Sequence, residues 1–143
     1  MLFRSLAALD QHPRVSLVSH SSWYRTVPVG PVQEDFLNGC ALLDTDLEAQ
    51  ALLALLLSTE HDFGRVRLQH WGPRSLDLDL ILFGDQIIAS DTLQVPHPRL
   101  AERSFVLTPL AEIAGQWIEP SSGRTISELA EQLGQDGILE RVG

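Results

Sequence analysis

The sequence predicts a single α+β domain over residues 1–143. Segments in which apolar and polar side chains alternate, typical of half-buried strands, lie on both sides of a long Leu- and Ala-rich stretch that is typical of a buried helix. A Thr-x-x-Glu capping box near the C-terminal end predicts a further helix. A chain of 143 residues can bury one ordinary hydrophobic core. With 44% apolar and 20% charged residues, disorder and fibrous architecture are poor explanations.

The first half of the chain is predicted to hold two helices with two strands between them. Turn residues and apolar spacing bound these elements as a helix over 3–10, a strand over 15–24, a loop over 26–35, a strand over 36–43 and a helix over 46–61. Gly39 is a weak point in the second strand. The second helix is expected to follow a capping box formed by Thr45 and Glu48 and to stop at Gly64. Apolar side chains lie on almost every face of this helix, so we expect it to be well buried.

The second half is predicted to contain a strand, a tight turn and two more helices. These elements are a strand over 76–83, a hairpin turn at Gly84 and Asp85 into residues 86–88, a helix from about Arg99 that is interrupted near Pro109, and a helix over 126–133 behind the capping box of Thr125 and Glu128. This order of elements is what remains of a ferredoxin-like βαββαβ unit with an antiparallel sheet if the first strand is absent.

The acidic balance of the chain restricts its partners. The net charge of −9 disfavours nonspecific attraction to nucleic acid or anionic membranes. The longest strictly apolar run, residues 51–57, is far shorter than the roughly 20 residues that span a bilayer, and the first residues lack a signal-peptide layout. Cys40 is the single cysteine, so no internal disulfide and no cysteine-rich zinc site are expected. We expect a cytoplasmic monomer that binds small molecules.

A basic segment stands out on this acidic chain. Residues 65–74, RVRLQHWGPR, carry three of the ten arginines and no Asp or Glu, and we interpret them as a loop. The guanidinium fork suits polyphosphate, and Trp71 offers a flat face for an adenine or, equally, an anchor for the loop. The sequence has no lysine, no GxxxxGK[ST] and no GxGxxG motif, which excludes P-loop NTPases, protein kinases and Rossmann dehydrogenases.

Asp77 and Asp79 are the candidate metal ligands. Because side chains alternate along a strand, the two carboxylates of LDLDL share one face and the leucines take the other. Two strand residues span about 6.6 Å, enough to straddle two Mg²⁺ ions about 3.5–4 Å apart. Mg²⁺ takes one or two carboxylates with waters and substrate phosphates. The pair alone also fits a solvated acidic face, but together with the arginine segment it suggests a metal-bound nucleotide.

Two further groups of residues are weaker candidates. His97 and Arg103 could be phosphate donors, although a lone His in a loop is more often structural. Thr26, Phe36 and Asn38 offer a hydroxyl, a ring and an amide around the Pro- and Gly-containing loop. Such a set suits a flat heteroaromatic ligand, but ordinary turn and strand residues would look the same.

Four segments, in order, resemble the 6-hydroxymethyl-7,8-dihydropterin pyrophosphokinases of folate biosynthesis. They are SSWYRTVPVGPVQEDFLN (21–38), EHDFGRVR (60–67), WGPRSLDLDLILFG (71–84) and VPHPRLAERSFVLTPL (95–110). The resemblance covers residues 2–125, and the third segment is highly specific. It implies transfer of the terminal pyrophosphoryl group of ATP to the hydroxymethyl oxygen of the pterin, with release of AMP and with two Mg²⁺ ions.

The resemblance also implies a role for each matching position. Asp77 and Asp79 would hold both metals, and they form the catalytic set together with Arg65 and Arg74. The ATP-binding positions are Glu60, Arg67, Trp71, Leu80, His97 and Arg103, with residues 65–74 as a loop that closes over the nucleotide. The pterin-binding positions are Thr26, Val27, Val29, Gly30, Phe36, Asn38 and Phe105.

The chain departs from the family pattern at three places. The mobile loop of the family is often longer than the segment 65–74 of this chain. Pro98 stands where the family usually has an aromatic residue after the His. Family members begin with a strand and a Gly-Ser-Asn turn, whereas Met1 of this sequence already lies at the first helix. Loss of a central strand would leave its neighbours without backbone partners. A noncatalytic pterin- or nucleotide-binding remnant is therefore the alternative to a pyrophosphokinase, and a two-metal phosphodiesterase is a third option that the acidic charge disfavours.

Overall fold

Four helices pack with three small antiparallel sheets in the computed structural model, which describes residues 2–26, 36–68, 77–134 and 138–142. The helices are α1 (Leu2–Asp10), α2 (Ala49–Leu68), α3 (Ser104–Ala114) and α4 (Ile126–Leu133). The strands are β1 (Val15–His20), β2 (Trp23–Thr26), β3 (Phe36–Asn38), β4 (Ala41–Thr45), β5 (Ile88–Ala89), β6 (Gln94–Val95) and β7 (Ile138–Val142). The predicted α+β class is confirmed.

Two of the strand pairings in the described residues, β1 with β4 and β2 with β7, join strands that are not consecutive in the sequence. β1 pairs with β4, and β2 lies between β3 and β7 in a three-stranded sheet. β5 and β6 form a ladder of their own. β7 was not predicted from the sequence. Its pairing with β2 brings residues near the C-terminus next to the strand that ends at Thr26.

Each of the two strands predicted in the first half is split in two. The hydroxyl of Ser21 donates to the carbonyl of Ser22 (2.7 Å) and accepts from the N–H of Cys40 (2.9 Å). In a continuous ladder these two backbone groups would bond to the backbone of a neighbouring strand. Gly39 interrupts the second strand, as the sequence predicts, because β3 ends at Asn38 and β4 begins at Ala41. The ring of Trp23 occupies the space that a Cβ at Gly39 would need. A glycine is therefore required at this close approach.

The prediction of a strand over 76–83 is wrong for residues 77–83, the part that the structure describes. Residues 77–83 join no β-ladder there, and β5, which follows the confirmed turn at Gly84 and Asp85, pairs with β6 instead. The segment is held by single bonds, such as the N–H of His97 donating to the carbonyl of Ile81 (2.9 Å). Alternation predicts which side chains face the core, but it does not supply a neighbouring strand.

Helix α2 differs from its prediction at both ends. It begins at Ala49 because Thr45 is used elsewhere: the Thr45 hydroxyl donates to the carbonyl of Arg14 (2.6 Å) and accepts from the N–H of Leu47 (3.1 Å). The helix also continues past Gly64 to Leu68, so Gly64 is not its stop. Residues 65–68, at the beginning of the predicted arginine loop, are therefore helical.

The two C-terminal helices enclose the main core. α3 runs through Pro109 without the predicted interruption, and α4 has the predicted bounds with both bonds of its capping box. Leu107 and Ile126, each 0% exposed, lie in one apolar cluster between these helices. A second cluster joins α1 to α2 through buried leucines. Within the described ranges, no helix has the length and apolarity that a membrane span requires.

A buried carboxylate organises the turn between α3 and α4. Glu119 is only 6% exposed, and it accepts the backbone N–H groups of Ser121 (2.9 Å) and Ser122 (2.6 Å). Burial acts to raise the pKa of Glu119, but these hydrogen bonds outweigh it and hold the pKa below the usual value of a glutamate.

Candidate functional site

One cavity of about 1080 Å³ brings together residues that the sequence predicted for different ligands. It lies between β4, the segment 77–86 and the beginning of α3, and leucines of α1 and α2 contribute apolar lining. Seven of the predicted site residues line it: Thr26, Asn38, Asp77, Asp79, Leu80, Arg103 and Phe105. A cavity of this size can hold a drug-sized ligand, and its lining contains both apolar and charged residues.

Asp77 and Asp79 form an acidic pair in the lining of the cavity, which also includes Asp44, Asp85 and Glu102. Both side chains are exposed, while Leu78 between them is half-buried, so the predicted alternation of faces is confirmed. The carboxylate of Glu60 accepts the N–H of Leu78 at 2.9 Å and thereby ties this segment to α2. Burial, and after it the negative charge of Asp79, raises the pKa of Asp77. Two carboxylates that repel each other in this way would gain from a bound cation.

The donor set at this end fits a magnesium ion. No group of three or more His, Cys, Asp or Glu side chains with metal-binding geometry occurs among the described residues. The two exposed aspartates offer carboxylate oxygens, the type of ligand that Mg²⁺ prefers. Mg²⁺ commonly binds through one or two carboxylates and completes its shell with water and phosphate oxygens.

His97 lies near Asp79, whose negative charge acts on its ring. Its backbone N–H is bonded to Ile81, as described above, and its Nδ1 accepts the N–H of Arg99 at 3.2 Å. Burial lowers the pKa of His97, with Arg103 and Arg99 acting in the same direction and Asp79 acting against them. A neutral ring with Nδ1 as acceptor carries its proton on Nε2, which can then donate to a phosphate oxygen.

Arg103 and Phe105 mark the beginning of α3. The carbonyl of Arg103 accepts the N–H of Leu107 at 3.0 Å and so starts the helix. The guanidinium lies 5.5 Å from the centroid of the Phe105 ring, within cation–π range. This contact holds a positive charge next to an aromatic face at the wall of the cavity.

A polar pair on the strands lines the same cavity as Phe105. The amide nitrogen of Asn38 donates to the hydroxyl of Thr26 at 2.6 Å, and Thr26 is only 2% exposed. The pair bridges β2 and β3, where Thr26 is also the cross-strand partner of Phe36. With one amide hydrogen committed to Thr26, the orientation of the Asn38 side chain is fixed. Its oxygen and second hydrogen remain for a ligand.

Glu60 and His97 bond to the segment 77–81 but are not among the residues that line the cavity. Two further groups of predicted site residues remain. Arg65 and Arg67 lie in the last turn of α2, so the prediction that they belong to a loop is wrong. Five predicted residues lie outside the described residues: Val27, Val29, Gly30, Trp71 and Arg74. The sequence interpretation missed Arg99, which also lines the cavity. Its place between His97 and Arg103 was the available signal.

Comparisons with known proteins point to one family. The family model described as 7,8-dihydro-6-hydroxymethylpterin-pyrophosphokinase (HPPK) matches residues 1–115. The chain is 52% identical over 113 residues to the 2-amino-4-hydroxy-6-hydroxymethyldihydropteridine pyrophosphokinase of Synechocystis sp., an alignment that covers 79% of this chain and 58% of that protein. To the protein of the same name from Haemophilus influenzae it is 39% identical over 140 residues, covering 97% and 87% of the two chains. For the Pseudomonas aeruginosa protein the identity is 43% over 135 residues, with 94% and 83% covered.

Proposed function

This chain belongs to the 7,8-dihydro-6-hydroxymethylpterin-pyrophosphokinase family, and on that premise we propose that it transfers the pyrophosphoryl group of ATP to 6-hydroxymethyl-7,8-dihydropterin in folate biosynthesis. The observation that carries the proposal is the shared cavity. An acidic pair, Asp77 and Asp79, lies in the same cavity as the polar pair Thr26 and Asn38. One space can therefore bind a metal–nucleotide and a flat polar heterocycle side by side.

Asp77 and Asp79 are the proposed ligands of two Mg²⁺ ions. When bound, such ions neutralise the charge that develops on phosphoryl oxygens and help to align the reacting groups. Arg103 and the Nε2 of His97 are the proposed donors to the phosphates, and Glu60 and Leu80 support the nucleotide end. Because Arg103 is held over the ring of Phe105, its charge is in place before the nucleotide arrives.

The proposed pterin end uses hydrogen bonds and stacking. Thr26 fixes the amide of Asn38, which then bonds the edge of the heterocycle. Phe105 offers its ring to one face of the pterin, and Phe36 is proposed for the other. The remaining positions implied by the family resemblance stay part of the proposal: Arg65, Arg67, Trp71 and Arg74 for ATP, and Val27, Val29 and Gly30 for the pterin.

The chemical step is a displacement at the β-phosphorus of ATP. The hydroxymethyl oxygen forms a bond to this phosphorus, and the bond from the phosphorus to the bridging oxygen of the α-phosphate breaks, so that AMP leaves with that oxygen. The proton of the hydroxyl passes to the carboxylate of Asp77 or to water. Holding both substrates in one cavity in line for attack removes much of the entropic barrier.

The state and place of action are also proposals. We propose a monomer that acts in the cytoplasm on these two small molecules, without nucleic acid or membrane partners. The net charge of −9 supports the proposal that nucleic acid is not a partner, because a negatively charged protein repels polyanions.

An assay of the nucleotide products tests the proposed function. The full chain is incubated with ATP, Mg²⁺ and 6-hydroxymethyl-7,8-dihydropterin, and the products are separated by ion-exchange chromatography. We expect AMP and pyrophosphorylated pterin in equal amounts, with no AMP when the pterin is omitted or when EDTA is added. Pterin binding without AMP would support a noncatalytic remnant, and cleavage of single-stranded nucleic acid without a need for pterin would support a phosphodiesterase.

A further inference from the structure

A polar cluster outside the cavity joins α3 to β2. The carboxylate of Glu112 accepts three hydrogen bonds: from the backbone N–H of Ser22 (2.7 Å), from the hydroxyl of Ser22 (3.1 Å) and from the hydroxyl of Tyr24 (2.6 Å). The Nε of Arg141, on β7, donates to the hydroxyl oxygen of Ser22 at 2.8 Å. Glu112 thus joins α3 to Ser22 and Tyr24, and Ser22 in turn joins them to β7.

The cluster is largely enclosed on the strand side. Ser22 is 6% exposed and Tyr24 is 8% exposed. Burial, followed by the hydrogen bond to Glu112, raises the pKa of Tyr24 to about 12, so its hydroxyl remains a donor at every physiological pH. Bonds from neutral donors to a carboxylate are among the stronger hydrogen bonds in proteins. The cluster fixes the position of β2 against α3 more firmly than apolar contact alone.

Both elements run from this cluster to the proposed pterin pocket. Glu112 and Phe105 are seven residues apart in α3. Seven residues make two helical turns and about 10.5 Å of rise, so the two side chains lie on the same face of the helix. On β2, Thr26 lies two residues, or about 6.6 Å, beyond Tyr24, and it also points to the buried side. The separation of Phe105 from Thr26 therefore depends on the register that Glu112 sets.

We propose that Glu112 is a positioning residue for pterin binding, which clamps α3 to β2 and thereby sets the width of the pocket between Phe105 and the Thr26–Asn38 pair. The inference rests on the proposed function, and it concerns the pterin end alone. The proposed nucleotide end is built on the segment 77–80, on the loop at His97 and on Arg103, which precedes the first residue of α3. None of these is bonded to Glu112 among the hydrogen bonds of the described residues.

The test measures the dissociation constants of both ligands in variants of the full chain. Glu112→Gln is the main substitution, because it removes the negative charge that strengthens the bonds from Ser22 and Tyr24 and places an N–H donor where one of the two carboxylate oxygens now accepts. We expect the Kd for 6-hydroxymethyl-7,8-dihydropterin to rise about five- to twentyfold, while the Kd for Mg²⁺ and a nonhydrolysable ATP analogue stays within about twofold. Tyr24→Phe removes one bond and should raise the pterin Kd by a smaller factor. This second variant keeps the test valid if Glu112→Gln does not fold.

Two controls separate positioning from general loss of stability. Glu131→Gln makes the same chemical change at an exposed site on α4 and should leave both constants unchanged. Thr125→Ala removes the cap of α4, which lowers stability away from the cavity, and it should lower the melting temperature without a selective change in pterin affinity. A double variant, Tyr24→Phe with Glu112→Gln, should be no worse than Glu112→Gln alone, because both changes disrupt one cluster.

The outcomes distinguish this inference from the proposed function. If the natural chain binds no pterin, the proposed function fails and the inference fails with it. If the natural chain binds pterin and forms AMP, but Glu112→Gln leaves the pterin Kd unchanged or raises both constants equally, the positioning role alone is refuted.

Discussion

Replacement of Thr26 by valine tests the pterin end of the cavity with the smallest change in shape. Valine has nearly the volume of threonine but no hydroxyl, so the substitution removes the acceptor that now binds the amide of Asn38 at 2.6 Å. Thr26 is only 2% exposed, so water cannot occupy the position of the lost hydroxyl. The amide of Asn38 would lose its fixed orientation at the wall of the cavity.

The size of the effect follows from the surroundings of the two side chains. A buried donor left without a partner costs about 1–3 kcal/mol. Asn38 is only half-buried and lines the cavity, so its amide can turn to water, which places the cost near the lower limit, at about 1 kcal/mol. We therefore expect the melting temperature to fall by about 2–4 °C. Loss of a comparable bond to the ligand corresponds to a pterin Kd about three- to tenfold higher.

A matched control makes the assay decisive. Thr59 is also buried, and its hydroxyl donates to the carbonyl of Leu55 within α2, outside the cavity lining. Pterin binding to Thr26→Val, Thr59→Val and the unchanged chain is measured by fluorescence titration, and ATP-analogue binding is measured in parallel. If the pterin Kd of Thr26→Val rises no more than that of Thr59→Val, the Thr26–Asn38 pair does not belong to the pterin pocket.

Three further predictions concern the metal site, the core and the acid stability. Asp79→Ala should lower AMP formation at least about a thousandfold while pterin binding persists, because a metal ligand is lost. Asp91→Ala, at an exposed loop residue, is the matched control. Wild-type turnover in Asp79→Ala would refute the metal assignment. Leu107→Ala should cost about 2–5 kcal/mol in urea unfolding, since Leu107 is 0% exposed between α3 and α4; a loss below about 1 kcal/mol would contradict the described packing. The pKa of Glu119 is lowered on folding, so its contribution to stability is present above the ordinary glutamate pKa and is lost as pH falls through the lowered value. The urea midpoint should therefore fall in acid by a larger amount for the natural chain than for Glu119→Gln, and identical pH profiles would contradict this.

Local sequence patterns predicted the fold where local bonds determine it. α4 was predicted with its observed bounds because Thr125 and Glu128 satisfy each other within one turn. Thr45 and Glu48 show the same spacing, but Thr45 bonds to Arg14, which lies far away in the sequence, and the helix begins later. The same spacing thus leads to different structures when a distant partner competes for the hydroxyl.

The site was predictable in part for the same reason. Asp77 and Asp79 could be assigned to one face from their spacing, and the structure confirms that face. The bond between Thr26 and Asn38 depends on the pairing of β2 with β3, which no local pattern specifies. Glu112 gave no signal at all, because its partner Ser22 is 90 positions away in the sequence.

The position of metal ions in a crystal of the complex tests the central claim most directly. Crystals grown with a nonhydrolysable ATP analogue, a pterin ligand and Mn²⁺ in place of Mg²⁺ would reveal the ions by their anomalous scattering. We predict ions at bonding distance from carboxylate oxygens of both Asp77 and Asp79, in contact with the phosphates and beside a pterin that lies between Thr26 and Phe105. Ions bound elsewhere, with both aspartates turned away from the nucleotide, would contradict the account.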